Sequence, residues 1–283
     1  MNVFAPMRAE LFRLTRSRAG RVGLLTPALL GAGQILGSEL VARIGAARRM
    51  AQGLEPAEPT TVTAFGSLAD GVGGIGSMAL ALIALLIGAF ALARERDAGS
   101  LGLLVLARSR GATVAGKALG SCLYVVTAFV LLFVASLAAA ALIHDFTGVV
   151  EDGYEMAPAG ELWLESLRAS AAGLPALLAC ACFGLCVSAL SASVGAAAVG
   201  AVLPFMLLAL FQSALGRVAD KLFLTYAPLL SEHSPLVRLK QVARAFNDAH
   251  WGPGELQRAA LVPTIEGVAF VVVAWIATRK RDV

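Results

Sequence analysis

The chain has 283 residues, of which 58% are hydrophobic and only 15% charged, well under the roughly 25% charged content of soluble domains. Its Leu, Ala, Val and Gly gather in apolar runs of about 20 residues separated by charged stretches, a pattern that excludes a water-soluble domain and predicts an all-α polytopic membrane protein. The net charge of +4 comes without aromatic residues interleaved among the basic ones, which excludes a nucleic-acid-binding surface.

Residues 1–21 carry Arg8, Arg13, Arg16, Arg18 and Arg21 against a single acid, Glu10, while Phe4, Met7, Leu11 and Leu14 recur at helical spacing. This predicts an amphipathic helix on the cytoplasmic face of the membrane. No small-x-small cleavage site follows the first apolar run, so the N-terminus is expected to be retained. That run, Val22 to Gly37, would rise only about 24 Å as a helix, short of a hydrocarbon core of about 30 Å. It must lengthen at one end or sit among protein neighbours. Glu39 to Pro59 reads as a mixed polar segment with Arg43, Arg48 and Arg49 on a short helix ending near Gly53.

Val72 to Ala93 is the second span, entered through Gly71, Gly73, Gly74 and Gly76, a stretch expected to be flexible. Ala118 to Ile143 is the third, and the acidic stretch from His144 to Glu165 then leaves the membrane. Ala171 to Leu190 and Val194 to Leu215 form a hairpin across Ser191, Ala192 and Ser193, with Pro175 and Pro204 expected to bend the two helices. Between Arg217 and Arg258, short interfacial helices broken at Pro228 and Pro235 predict an outer cap. Ala259 to Thr278 completes six spans, followed by Arg279, Lys280 and Arg281.

Charge orients this arrangement. With the N-terminus inside, segments 1–21, 94–117, 191–193 and 279–283 are cytoplasmic and hold thirteen basic and four acidic residues, while the remainder holds ten basic and fifteen acidic ones. The positive-inside rule therefore places both termini in the cytoplasm.

Polar groups inside the apolar runs are few. Cys122, Cys180, Cys182 and Cys186 all lie within them, so the Cys180-x-Cys182-x3-Cys186 spacing reads as small buried hydrophobes rather than a metal cluster. Glu266 is the one unusual acid, 13 residues before Arg279 and hence about 20 Å from the inner boundary. Local hydrogen bonding at the helix start near Pro263 and Thr264 is the first reading; a polar element of a substrate path or a contact to the outer cap is the second. On the first, Glu266→Ala would impair assembly more than substrate choice. His144, Asp145, Glu151, Asp152, Glu155, His233 and His250 could be proposed as metal ligands, but their spacing matches no ligand set and they read as a solvated outer face. Gln34, Ser38, Gln212 and Ser213 suit interhelical hydrogen bonds, and Gly184, Ser188, Gly195 and Gly200 permit close packing within or between chains.

The segment between the second and third spans carries the most information. Arg94, Glu95, Arg96 and Asp97 open it, Gly99 and Ser100 offer a turn, Leu101 to Leu106 supply an apolar face, and Arg108, Arg110 and Lys117 close it. Such a stretch is either a short helix through which a soluble partner pushes on a membrane domain, or an interfacial turn anchored by arginines.

From Glu95 the chain reads E-R-D-A-G-S-L-G-L-L, then Ser109-Arg110, then G-K-A-L-G from Gly116. This resembles the type 2 family of ABC transporter permeases, including the permease associated with nitrous-oxide reductase maturation, with its E-R-E-x-G-T-L-x-x-L-L, P-x-S-R and G-K-x-x-G elements. The specific letters lie between residues 95 and 120. Glu95, Arg96, Asp97, Gly99, Ser100, Leu101 and Leu104 fall on the family's coupling-helix pattern, and Ser109, Arg110, Gly116 and Lys117 on its exit. Three departures stand out: no proline precedes Ser109-Arg110, the spacing from Gly99 to Arg110 is one residue short, and Gly102 replaces a larger or acidic residue.

The resemblance implies a single transmembrane permease domain over residues 1–283, with the amphipathic helix at 1–21, the coupling loop at 94–117 and the outer helical cap at 217–258. It also implies a multi-pass protein of the cell inner membrane, partnered by a cytoplasmic ABC ATPase dimer and a second permease copy or similar chain, surrounded by membrane lipid, with room for an extracytoplasmic accessory protein. No G-x-x-x-x-G-K-[ST] phosphate loop occurs, since no hydroxyl follows Gly116-Lys117. The chain is thus expected to be no enzyme and to bind no cofactor or metal, ATP and Mg being held by the partner. Two functions share these motifs: an exporter subunit, and a non-transporting mechanical or anchoring subunit that passes ATPase motion to a protein outside.

Overall fold

The structure is a computed structural model that describes residues 3–53, 63–100, 109–151, 154–211, 218, 220–228, 233–244, 251–252 and 254–280. Helix α1 (Phe4–Arg16) stops at Ser17, whose extended backbone and hydroxyl, accepting from Gly20 N, start α2 (Arg18–Ala51). The elbow is tight, because a Cβ on Gly20 would lie 1.8 Å from the Leu14 carbonyl oxygen.

Helix α2 is a single 34-residue helix, about 51 Å long. The short first run does lengthen, but by absorbing the expected polar helix rather than ending before it, since Ser38 and Glu39 carry no breaker and good helix formers follow. It ends where expected, at Gly53 with φ +70°. From Leu40 to Ala51 the helix is exposed apart from half-buried Ala46.

Thr63 caps α3 (Ala64–Val72), and α4 (Ile75–Asp97) follows after Gly73 and Gly74. This glycine pair is a site of close approach rather than a flexible entry. A Cβ on Gly73 would meet the Leu236 carbonyl oxygen at 2.0 Å, and one on Gly74 the Gln34 Oε1 at 2.1 Å. The same Oε1 accepts from Ile75 N at 2.9 Å and so caps α4. Helix α5 (Arg110–Ile143) starts eight residues before the expected third span. A hairpin of β1 (Val149–Glu151) and β2 (Tyr154–Ala157) then leads into α6 (Ala159–Leu190), which begins twelve residues before the expected fourth span and is joined across Ser191–Ser193 to α7 (Val194–Leu210). Two short helices, α8 (Phe223–Tyr226) and α9 (Pro235–Val242), precede α10 (Glu255–Lys280).

Among the described residues five helices are long and apolar enough to cross a membrane: α2, the α3–α4 pair, α5, α6 and α10. The fifth expected span, α7, is a shorter apolar helix of 17 residues. Helices α4 and α6 occupy the interior. Gly88 of α4 and Gly184 of α6 form a reciprocal crossing: a Cβ on Gly88 would sit 2.0 Å from the Ala181 carbonyl oxygen, and one on Gly184 2.1 Å from that of Leu85. In lipid, where apolar burial gives little drive, such backbone approach and dispersion hold helices together. Leu80, Ala84, Leu85 and Ala89 of α4, Val125, Ala128 and Leu132 of α5, Leu177, Cys180 and Ala181 of α6, and Ala197, Ala201 and Phe205 of α7 complete this core.

The end of the bundle holding α1 and the end of α10 is here the basal end; α3, the hairpin, α8 and α9 cover the distal end. There, α9 seats Leu236 against Gly173, whose added Cβ would lie 2.5 Å from the leucine side chain. Arg244 and Lys240 reach Asp70 of α3, and Arg238 pairs with Glu255 of α10.

Candidate functional site

The expected coupling segment lies at the basal end. Helix α4 ends in a Schellman turn: Gly99 has φ +67°, its N–H donates to the Arg96 carbonyl, and Ser100 N–H donates to that of Glu95, both at 2.9 Å. Only glycine takes this backbone conformation without cost. Ser109, extended at φ −61°, ψ 143°, accepts from Ala112 N–H and starts α5. Leu101 and Leu104, with the rest of residues 101–108, lie outside the described residues.

Three consecutive charged residues at the end of α4 reach three different places. Glu95 accepts from Ser100 Oγ at 2.7 Å and pairs with Lys117 Nζ of α5 at 3.0 Å. The same Nζ lies 3.0 Å from Glu10 Oε2 of α1, and Glu10 also pairs with Arg13. Lys117 and Glu10 are buried, their side chains 5% and 3% exposed. Two carboxylates thus face one ammonium and one guanidinium, a locally neutral set that offsets the desolvation each charge incurs. Helix α1 can come this close because Gly116 and Gly120 leave a groove: a Cβ on Gly116 would lie 2.6 Å from the Pro6 ring.

Arg96 turns the other way. Its guanidinium donates to the carbonyls of Ser188, Ala189 and Ser191 at the C-terminus of α6. Asp97 Oδ2 accepts from Val194 N–H, the first of α7, at 3.1 Å. A cation at a helix C-terminus and an anion at a helix N-terminus each oppose the exposed end of a helix dipole. Ser188 Oγ in turn accepts from Leu92 N–H and Ala93 N–H of α4 at 3.1 and 2.8 Å. Arg110 completes the collar by donating to the Arg279 carbonyl at 2.6 Å, which ties α5 to the end of α10.

Of the expected residues, Glu95, Ser100 and Lys117 meet in one cluster, Arg96 and Asp97 meet the α6–α7 turn, and Arg110 meets α10. Sequence reasoning missed Glu10. The signal was present, as a lone acid among five arginines on an amphipathic helix, but its partner lies 107 positions away. The expected face of α1 also needs correction. Pro6, Glu10 and Leu14 are buried, Met7 and Leu11 are half-buried, and Phe4 is exposed; the α5 groove and the Glu10–Lys117 pair set the roll of the helix.

Glu266 requires a second correction. Helix α10 begins at Glu255, so Glu266 lies well inside it, and its Oε2 accepts from Phe223 N–H at the start of α8 at 2.6 Å. Its bond goes to the segment expected to form the cap, as in the second of the two readings, and not to its own helix start. Around it Phe183, Phe223 and Phe270 pack with ring centroids 5.3 to 5.8 Å apart. His144 Nε2 lies 3.7 Å from Glu39 Oε2, while Asp145 and Glu155 line a cleft beside it. Asp152, His250, Gln212 and Ser213 lie outside the described residues. Cys180, Cys182 and Cys186 are buried, and Cys122 Sγ faces Cys182 Sγ at 3.9 Å.

Compared with known families, residues 14–278 match the model described as ABC-2 family transporter protein. No curated protein matches the chain.

Proposed function

The chain belongs to the ABC-2 transporter family, whose members are membrane permease subunits of ABC transporters, and on that premise we propose that it is the permease of an exporter in which residues 94–117 receive the motion of a separate cytoplasmic ATPase dimer. A second copy completes the pathway, both termini lie in the cytoplasm, and ATP with Mg stays on the ATPase. The outer cap over 217–258 acts as the exit gate. The block between Glu95 and Gly120 further suggests kinship with the permease of nitrous-oxide reductase maturation.

One observation carries this reading: Glu95, Arg96 and Asp97 grip different elements from one end of one helix. Glu95 holds α5 and, through Lys117, α1; Arg96 holds α6; Asp97 holds α7. A displacement of the loop after Gly99 therefore reaches four helices besides α4. An interfacial turn that only anchors the chain needs no such convergence.

The test reconstitutes the chain with its cognate ATPase in inverted vesicles. Arg96→Ala is expected to leave the complex intact and ATP hydrolysed while uptake falls by an order of magnitude or more. Unchanged uptake in this variant would remove the coupling role. ATP-dependent change in an outer protein, with no uptake by the native chain, would establish the mechanical alternative instead.

A further inference from the structure

Helix α1 has two faces, and the ion cluster uses only one. Pro6, Glu10 and Leu14 are turned into the bundle, and the Glu10–Lys117 pair together with the glycine groove of α5 locks the roll of the helix. That leaves Phe4, Arg8, Phe12 and Arg16 on the opposite side, with Phe4 69% and Phe12 62% exposed. Arg16 lies over the Phe12 ring at 5.0 Å. Just past the Ser17 elbow, Arg18 and Arg21 are also exposed, followed by exposed Val22 and Leu25 on α2. No acid among the described residues pairs with Arg8, Arg16, Arg18 or Arg21.

We propose that this outward face of α1, with the Arg18–Arg21 elbow, is a binding surface for the headgroups of anionic phospholipids. The chemistry is complementary on both counts. Aromatic rings and arginine stems suit the boundary between headgroup and acyl chain, and four unneutralised guanidiniums suit phosphate esters that carry a net negative charge. The helix runs through one residue into a membrane-spanning helix, which holds this face at the level of the headgroups. A soluble acidic partner would make use of the arginines but would leave exposed Phe12 and the exposed apolar start of α2 unexplained. The inference requires only that the bundle sit in a membrane, so it stands or falls separately from the transport reading.

The experiment uses the full chain without any ATPase, reconstituted in phosphatidylcholine bilayers carrying traces of spin-labelled phosphatidylglycerol or spin-labelled phosphatidylcholine with the same acyl chains. The motionally restricted fraction reports which lipid the protein holds. The native chain is expected to prefer phosphatidylglycerol about fivefold or more at low salt, and to lose most of that preference at high salt. Arg8→Gln, Arg16→Gln, Arg18→Gln and Arg21→Gln together should bring the preference close to one. Arg13, Glu10 and Lys117 are left in place, so an unchanged melting temperature checks that the fold survives; if it falls, the paired changes Arg8→Gln/Arg16→Gln and Arg18→Gln/Arg21→Gln each serve in its place, and each should lower the preference. Equal affinity of the native chain for the two lipids would overturn the proposal. So would a preference that persists in these variants, which would assign the lipid contact to another part of the chain.

Discussion

Lys117 illustrates how one side chain is fixed by charges from two directions. With its ammonium 3.0 Å from both Glu10 and Glu95 and its side chain 5% exposed, replacement by Met removes the cation that lies between the two carboxylates. Removing one partner of a buried ion pair costs about 3–5 kcal/mol, so Lys117→Met should lower the melting temperature in detergent more than any single change at an exposed arginine. The double change Glu95→Gln, Lys117→Met leaves Glu10 paired with Arg13, which removes the imbalance, and should recover most of the loss. If the double variant melts lower than the single one, the charges are not acting as one set. At the other end, Glu266 is legible as unusual but not in its partner. Because its carboxylate accepts from Phe223 N–H, Glu266→Leu should forfeit about 2 kcal/mol and hasten hydrogen exchange at the Phe223 amide, whereas Glu266→Gln, which keeps an acceptor oxygen, should slow that exchange again.

Among the elements, α4 and α6 meet backbone to backbone, and the glycines at the crossing differ sharply from those on α2. Gly88 and Gly184 leave no room for a methyl group, while Gly33, Gly37 and Gly45 have nothing within 4 Å of an added Cβ. Gly184→Ala should therefore destabilise the fold by more than about 1–3 kcal/mol, since the clash is with a carbonyl rather than a side-chain tip. Gly33→Ala should change stability by less than about 1 kcal/mol. Thermal unfolding of the two variants in one detergent makes the comparison, and equal losses would mean that the crossing is looser than its geometry. Sequence reading marks Gly184 as a site of close packing but not Gly88, and it does not tell a filled glycine from an open one. Helix stops are a different matter. Gly53 and Gly99 follow from local chemistry and stand where the chain predicts them, whereas the starts of α5 and α6 extend eight and twelve residues beyond their apolar runs because helix propensity continues where hydropathy ceases.

For the whole molecule, the basal collar joins α1, α4, α5, α6, α7 and α10 through Glu10, Glu95, Arg96, Asp97, Arg110 and Lys117. On the proposed topology this collar faces the cytoplasm. Ser109→Cys should then react with a membrane-impermeant maleimide in inverted vesicles and stay unlabelled in intact cells. The reverse pattern would place the collar outside and remove the ATPase from reach of it.

What the chain determines alone is what depends on residues close together: that it is helical and membrane-embedded, where its caps and stops fall, and that residues 95–120 carry the letters of an ABC permease. Solvation and backbone hydrogen bonding act over a turn or a span, and composition records them. The partners of Glu10, Arg96, Asp97 and Glu266, the roll of α1 and the filled glycines were decided only by tertiary structure. Pairing across 43 to 107 positions is set by which surfaces can approach, and neither the hydropathy nor the charge of a segment contains that distance.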